Sequence, residues 1–252
     1  MAAFGSDLVA HVLLLETESG LVLVDSGYGL LDIADPAGRL GPNRRLVGPK
    51  LIESEAAVRQ VAALGFEPGD VRHIVITHFD FDHIGGLADF PEAQVHVTVE
   101  EVEGAMRAPS RRERQRYRAA QWAHGPKLVE HARTGEAWRG FAAAQELTEI
   151  APGLVLVPLP GHTRGHAAVA VDAGDRWLLH AGDAFYHHGE IDGSRVPRVL
   201  SFAQVAIGWD RQQVRDNHAR LAELHGRGEA DLEIINAHDR LLFEQARERS
   251  LN

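Results

Sequence analysis

The chain has 252 residues and a net charge of -10, with 26 Lys and Arg against 36 Asp and Glu, so it has no cationic surplus for neutralising nucleic-acid phosphates. Apolar residues at 44% and charged residues at 25% give the balance of a globular protein rather than a disordered or fibrous one. No apolar run reaches the ~18 residues of a membrane span. Cysteine is absent, which removes disulfides, thiolate ligands and a cysteine nucleophile together. Residues 1–7 show neither a basic nor an apolar leader region, so the expected location is cytoplasmic. Fifteen histidines stand out against this ordinary background.

Residues 8–15 read as a strand, paired across a turn at 17–20 with a second strand at 21–24. That strand ends in the turn-former Asp25-Ser26-Gly27. Residues 29–49 have no periodicity and read as loop. Ala57, Val58, Val61, Ala62 and Leu64 follow helical spacing, with Ser54 as the N-cap and Gly65 at the C-terminal end. Short strands are predicted at 73–76 and 94–99. The stretch 100–149 is mostly helical in composition and includes a basic run from Arg111 to Arg118. Further strands are predicted at 154–157, 167–171 and 177–179, then a helix at 211–224, a strand at 232–235 and a terminal helix. Two strand-rich halves around a helical insertion, with no repeat or linker, read as one α/β domain over 1–252, its sheets covered by helices.

The chemistry concentrates in Thr77-His78-Phe79-Asp80-Phe81-Asp82-His83-Ile84-Gly85-Gly86. In an extended backbone alternate side chains point the same way, so His78, Asp80 and Asp82 can converge. His83 joins them if a helix begins there, and Gly85-Gly86 permit close backbone approach. So dense a set of carboxylates and imidazoles repels itself unless a cation neutralises it. Three later segments share one design, an apolar strand ending in a metal-binding side chain: His162 after Pro160-Gly161, Asp183 after Ala181-Gly182, and His238 after Asn236-Ala237. Strand ends hold ligands rigidly while leaving one rim open.

These motifs, in this order, resemble the metallo-β-lactamase superfamily, and most closely its acyl-homoserine lactonase branch. The likeness runs from Asp25-Ser26-Gly27 to His238. It implies a four-layer αββα sandwich, with a helical insertion covering about 100–149 after the first motif. It also implies two divalent metal ions, expected to be zinc, and a small-molecule substrate. Carried over residue by residue, one metal takes His78, His162 and whatever Asp80 offers, and the other takes Asp82, His83 and His238, with Asp183 bridging. The implied activity is opening of a lactone or carboxylic ester by a metal-bridging hydroxide, with Asp82 moving the proton. Tyr186, three residues after Asp183, matches a lactonase tyrosine that donates to the substrate oxygen. A packing role for it is the alternative.

Asp80 departs from the pattern, which has a second histidine there. It either coordinates, adding one negative charge and favouring Mn or Fe over Zn, or only hydrogen-bonds a ligand histidine. The departure keeps alternatives open: a glyoxalase II-like thioesterase, a non-haem iron oxidoreductase of the sulfur dioxygenase or flavodiiron kind, or a non-catalytic metal-binding member. His166 reads as a hydrogen-bonding residue rather than a ligand, and His187 and His188 as loop histidines near the rim. His11, His73 and His96 read as core or surface residues with satisfied nitrogens. The segment from Arg107 to Arg118 reads as either a lid for carboxylate-bearing substrates or a solvated helix face. Tyr117 and Trp122 suit an apolar wall for an acyl chain or a homodimer contact.

Overall fold

The computed structural model describes residues 8–250; residues 1–7, read above for a leader, lie outside the described residues. The chain divides into two compact units, residues 12–131 and residues 8–11 with 132–250. Among the described residues no helix is long and apolar enough to cross a membrane.

In the first unit, β1 (Leu13–Thr17) and β2 (Gly20–Val24) form an antiparallel hairpin. Then β3 (Val71–Val75), β4 (Gln94–Thr98) and β5 (Lys127–His131) add in parallel, giving the order β1-β2-β3-β4-β5. Val22, Val24, Ile74 and Val75 are fully buried, as expected of near-continuous apolar runs in a parallel sheet. The connections carry α1 (Leu30–Ala34), α2 (Pro36–Leu40), α3 (Arg44–Val47), α4 (Ala57–Ala63), α5 (Phe81–Ile84), α6 (Val99–Val102) and α7 (Arg111–Arg116). Val58 and Val61 of α4 pack into a core with Leu21, Leu23, Ile74 and Val95.

Several sequence expectations change here. The first strand begins at Leu13 rather than at residue 8, because residues 8–11 belong to the second unit, where the amides of Val9 and His11 donate to the carbonyls of His238 and Ala237. The stretch expected as loop holds three short helices. Asp35 caps one of them by accepting from the Gly38 amide at 3.0 Å, and buried Asp32 is held by Arg39 and Gln121, each at 2.9 Å. Such long-range polar pairing leaves no periodic signature. Ser54 is not the cap of α4: it lies in a 3-10 turn, and Ala56 precedes the helix. The helical stretch after the first motif ends at Gln121, and from Lys127 the chain is strand, so it is shorter than composition suggested.

In the second unit β6 (Gly135–Trp138) and β7 (Phe141–Ala143) form a hairpin. Beside it in sequence, β8 (Gln145–Glu146), β9 (Leu154–Pro158), β10 (Ala167–Asp172), β11 (Trp177–His180) and β12 (Leu232–Ile235) build a sheet ordered β12-β11-β10-β9-β8, with only the β11–β12 pair parallel. Helices α8 (Gly189–Asp192), α9 (Arg198–Ile207), α10 (Arg211–Gly226) and α11 (Arg240–Ser250) follow. Asp210 caps α10 by accepting from Gln212 and Gln213, and Val214, Asn217, Leu221 and Leu224 make its buried stripe. Leu221 and Leu224 pack with Val155, Val157, Ala168, Ala170, Leu179 and Ile234.

Two buried histidines are held neutral. In the first unit His96 bridges its neighbours across the strands, with Nε2 3.0 Å from His73 Nδ1 and Nδ1 3.0 Å from His131 Nε2. Burial, then the charges of His131 and His73, lowers its pKa from 6.5 to about 3. In the second unit His11 packs against His180 and Phe243, and burial with the His180 charge lowers its pKa from 6.5 to about 3. The unfolded chain takes up these protons near pH 6.5, whereas the folded chain refuses them until about pH 3. Stability is therefore full above 6.5 and falls as acid is added through that window, by up to ~1.4 kcal/mol per pH unit per histidine. Denaturant melts from pH 7 to 4 should show this decline, and His96→Leu should reduce its slope.

Candidate metal centre

The first unit's donors stand where β3 ends. Thr77 and His78 follow beyond the strand, and Asp80 (φ -68, ψ 148) is the extended residue that opens α5. Its carbonyl accepts from the amides of His83 and Ile84, so the chain turns helical at once and carries Asp82 and His83. The switch from extended to helical backbone that the sequence reading required for His83 is thus present. The rings of His78 and His83 lie 3.9 Å apart, His78 Nε2 is 3.3 Å from Asp80 Oδ2, and His83 Nε2 is 3.9 Å from Asp82 Oδ1.

Behind them sits Asp25, 1% exposed, at the end of β2 in the left-handed region (φ 59). Its carboxylate accepts from the Thr77 amide at 2.7 Å, from Thr77 Oγ1 at 2.8 Å and from His83 Nδ1–H at 2.8 Å. With Thr77 Oγ1 donating to Asp25, His78 Nδ1–H donates to Thr77 Oγ1 at 2.9 Å. Both rings therefore have their Nδ1 side engaged, the arrangement that orients ligating histidines. Ser26 Oγ and the Ser26 amide both donate to the His83 carbonyl, and a Cβ on Gly86 would stand 2.5 Å from the Ser26 carbonyl oxygen. The glycine pair after His83 is a packing requirement. The sequence reading took Asp25 only as a turn-former; its sign was a carboxylate ending a buried strand.

Asp80 has a partner that the sequence did not announce. Arg116, last residue of α7, grips it with both arms of the guanidinium, Nε to Oδ1 at 2.6 Å and Nη2 to Oδ2 at 2.5 Å. The basic run is therefore neither wholly a solvated face nor simply a lid. Arg107 pairs with Glu130 and Glu103 at the surface, whereas Arg116 reaches the motif.

The second unit's donors also sit at strand ends. Gly161, at φ 146, turns the chain after β9 and presents His162; its Cβ would lie 2.9 Å from the Val214 amide nitrogen. Asp183 follows β11 and His238 follows β12. His162 Nε2 is 3.3 Å from Asp183 Oδ2, and His238 Nε2 is 3.0 Å from Asp183 Oδ1. His238 Nδ1–H donates to the Val9 carbonyl at 2.8 Å, and its amide donates to Asn236 Oδ1. His166 is the hydrogen-bonding residue expected: its Nδ1 donates to the Leu159 carbonyl and its Nε2 accepts from the Asp183 amide. The buried Tyr186 ring lies edge-on to His162 and His238, with centroids 6.0 and 5.2 Å away. His188 Nδ1 is 2.7 Å from Asp239 Oδ2, while the other Asp239 oxygen caps α11.

Each unit thus gathers imidazole nitrogens and carboxylate oxygens, a donor set suited to a divalent ion such as Zn, Mn or Fe. The fit rests on buried Nε2 atoms directed at carboxylates and on Nδ1 atoms tied to acceptors behind them.

A family model described as the metallo-beta-lactamase superfamily matches residues 5–226. Relatives named "probable metallo-hydrolase" in Mycobacterium bovis and Mycobacterium tuberculosis are 59% identical over 249 residues, 98% of this chain and 80% of theirs. The N-acyl homoserine lactonase AttM of Agrobacterium fabrum is 28% identical over 194 residues, 75% of this chain and 69% of that protein. Among solved structures, a variant of B. thuringiensis AiiA with N-decanoyl-L-homoserine bound at its active site matches with a TM-score of 0.70 at 24% identity, covering 96% of this chain and 84% of that one. AidC, described as a dizinc quorum-quenching lactonase, matches at 0.61 and 18%, covering 92% and 73%. At these identities the structural likeness establishes the fold, which is the metallo-β-lactamase fold.

Two outcomes follow for the first donor set. Asp25→Asn, which loses the charge behind His83, should weaken divalent-metal binding roughly 10- to 100-fold in competition with a chromophoric chelator. Gly86→Ala, forced against the Ser26 carbonyl, should lower unfolding stability by about 1–3 kcal/mol in denaturant melts.

Proposed function

The chain belongs to the metallo-β-lactamase superfamily, and we propose that it is a dinuclear metal-dependent hydrolase that opens a lactone or a carboxylic ester. By the family pattern, His78, Asp82, His83, His162, Asp183 and His238 would hold the two ions. Asp183 Oδ2 lies 3.3 Å from His162 Nε2 and 3.1 Å from His238 Nε2, so one carboxylate faces both histidines, which supports a bridging role for it. Bound divalent ions would supply a water acidic enough to ionise near neutral pH and would polarise the scissile carbonyl.

The chain's own side chains do the rest. A carboxylate oxygen of Asp82 accepts the proton from the attacking water and returns it to the leaving oxygen. His83, tethered to Asp25, and His238, tethered to the Val9 carbonyl, stay in one tautomer and one orientation throughout. The Tyr186 hydroxyl donates to the oxygen on which charge develops, which a phenol can do without first losing its proton.

The observation that carries the choice of a lactone or ester is the placement of Tyr186. Its ring is buried against both ligand-bearing histidines of its unit, so the hydroxyl belongs to that cluster rather than to a remote core. The lactonases among the relatives support the same substrate class. The grip of Arg116 on both Asp80 oxygens supports hydrolysis over the iron redox alternative, which relies on a carboxylate ligand at that position.

Purified protein given lactones, aryl esters and glutathione thioesters should turn over lactones or esters fastest. Chelator should abolish that turnover, and Zn or Mn should restore it. Turnover that ignores chelator, or none on any lactone or ester, rejects the proposal. Tyr186→Phe should lower kcat roughly 100-fold while metal content stays at the wild-type level.

A further inference from the structure

Arg116 is built into its position. Helix α7 starts from a reciprocal cap, in which the Glu113 amide donates to Ser110 Oγ at 3.2 Å and the Ser110 amide donates to Glu113 Oε2 at 2.8 Å. The helix ends at Tyr117, whose ring is buried and whose hydroxyl donates to Glu101 Oε1 at 2.9 Å. That same oxygen accepts the amide of Phe79, also at 2.9 Å. Phe79 lies between His78 and Asp80. The buried Glu101 carboxylate therefore ties the residue after Arg116 to the residue before Asp80, and the guanidinium and carboxylate meet in a two-armed pair with side chains 15% and 16% exposed. Two independent devices, the Glu101 clamp and the guanidinium fork, converge on one carboxylate.

A fork of this geometry is the strong form of the Arg–carboxylate pair. It engages the oxygens with which Asp80 would bind a cation, and it places a fixed positive charge beside His78, whose Nε2 is 3.3 Å from Asp80 Oδ2. Asp80 with Arg116 is net neutral, like the imidazole the family pattern has there, but it is a poorer ligand. We infer that Arg116 is a positioning residue that restrains Asp80 and so makes the metal position served by His78 the weaker and more exchangeable of the two. This rests on the dinuclear reading proposed above. It accounts together for the departure at residue 80 and for an arginine of the basic run that the hydrolytic reaction does not otherwise use.

The test is metal binding by the full chain, stripped with chelator and titrated with Zn(II) and, separately, Mn(II) against a chromophoric competitor, with stoichiometry checked by elemental analysis. The wild type should take one equivalent tightly and a second roughly 10- to 100-fold more weakly. Arg116→Gln, which removes the charge, should tighten the second equivalent by a similar factor and leave the other unchanged. Asp80→Asn, which leaves the guanidinium beside His78 without its carboxylate, should weaken the second equivalent further. The double change Asp80→His with Arg116→Gln should give two tight equivalents.

Thermal melts identify any variant that fails to fold, and Arg116→Lys then serves as the milder probe, with a smaller tightening expected. Two equally tight equivalents in the wild type overturn the inference while leaving the dinuclear reading intact. So does a second equivalent unchanged, within about twofold, or weakened in both Arg116→Gln and Arg116→Lys. A folded wild type that binds neither ion overturns the dinuclear reading itself, and the inference with it.

Discussion

A buried carboxylate is tolerated only where donors surround it, since leaving such a group unsatisfied costs at least ~1–3 kcal/mol. In the first unit Asp25 collects the Thr77 amide, the Thr77 hydroxyl and His83, and so binds the end of β2 to the motif after β3. Glu101 does the same between Phe79 and Tyr117, and Asp32 between Arg39, Gln121 and the Gly29 amide. In the second unit the Asp183 carboxylate faces both His162 and His238 while its own amide is held by His166. These interior pairs organise the molecule far more than the exposed ion pairs do. Arg107 with Glu103, both well exposed, belongs to a class whose net contribution is only ~0–1 kcal/mol.

The donors occur at strand ends for a structural reason. Inside β3, β9, β11 and β12 the backbone is laddered to neighbouring strands and most side chains are apolar. One or two residues beyond, the chain leaves the ladder and can turn, and a polar side chain can project without burying an unsatisfied group. Left-handed or tightly packed residues, Asp25, Gly86 and Gly161, make those turns, and they decide where the imidazoles point.

Asp80 shows how a change of one ligand-type residue is absorbed. Replacing an imidazole with a carboxylate adds a charge, and the neighbouring α7 supplies an arginine that cancels it. The basic run reads as one feature in the sequence, yet its members divide in the structure. Arg107 faces solvent and pairs with acids there, whereas Arg116 is mostly buried against the metal motif.

The order of His78, Asp82, His83, His162, Asp183 and His238, and the apolar runs that precede them, were legible from the sequence alone, because motif spacing and two-residue or helical periodicity are local properties. The extent of β12 was legible too, and β2, β3, β4, β9, β10 and β11 were placed to within two residues, whereas β5 to β8 lie in the stretch read as helical. The roles of Asp25, Glu101 and Arg116 were not, nor were the three short helices between residues 29 and 49. Each of these depends on a partner far along the chain: Asp25 on His83, Asp32 on Gln121, and Asp80 on Arg116. A hydrogen bond closed over dozens of residues imposes no pattern on the residues between, so only the tertiary fold could decide which carboxylates orient a ligand and which are restrained by an arginine.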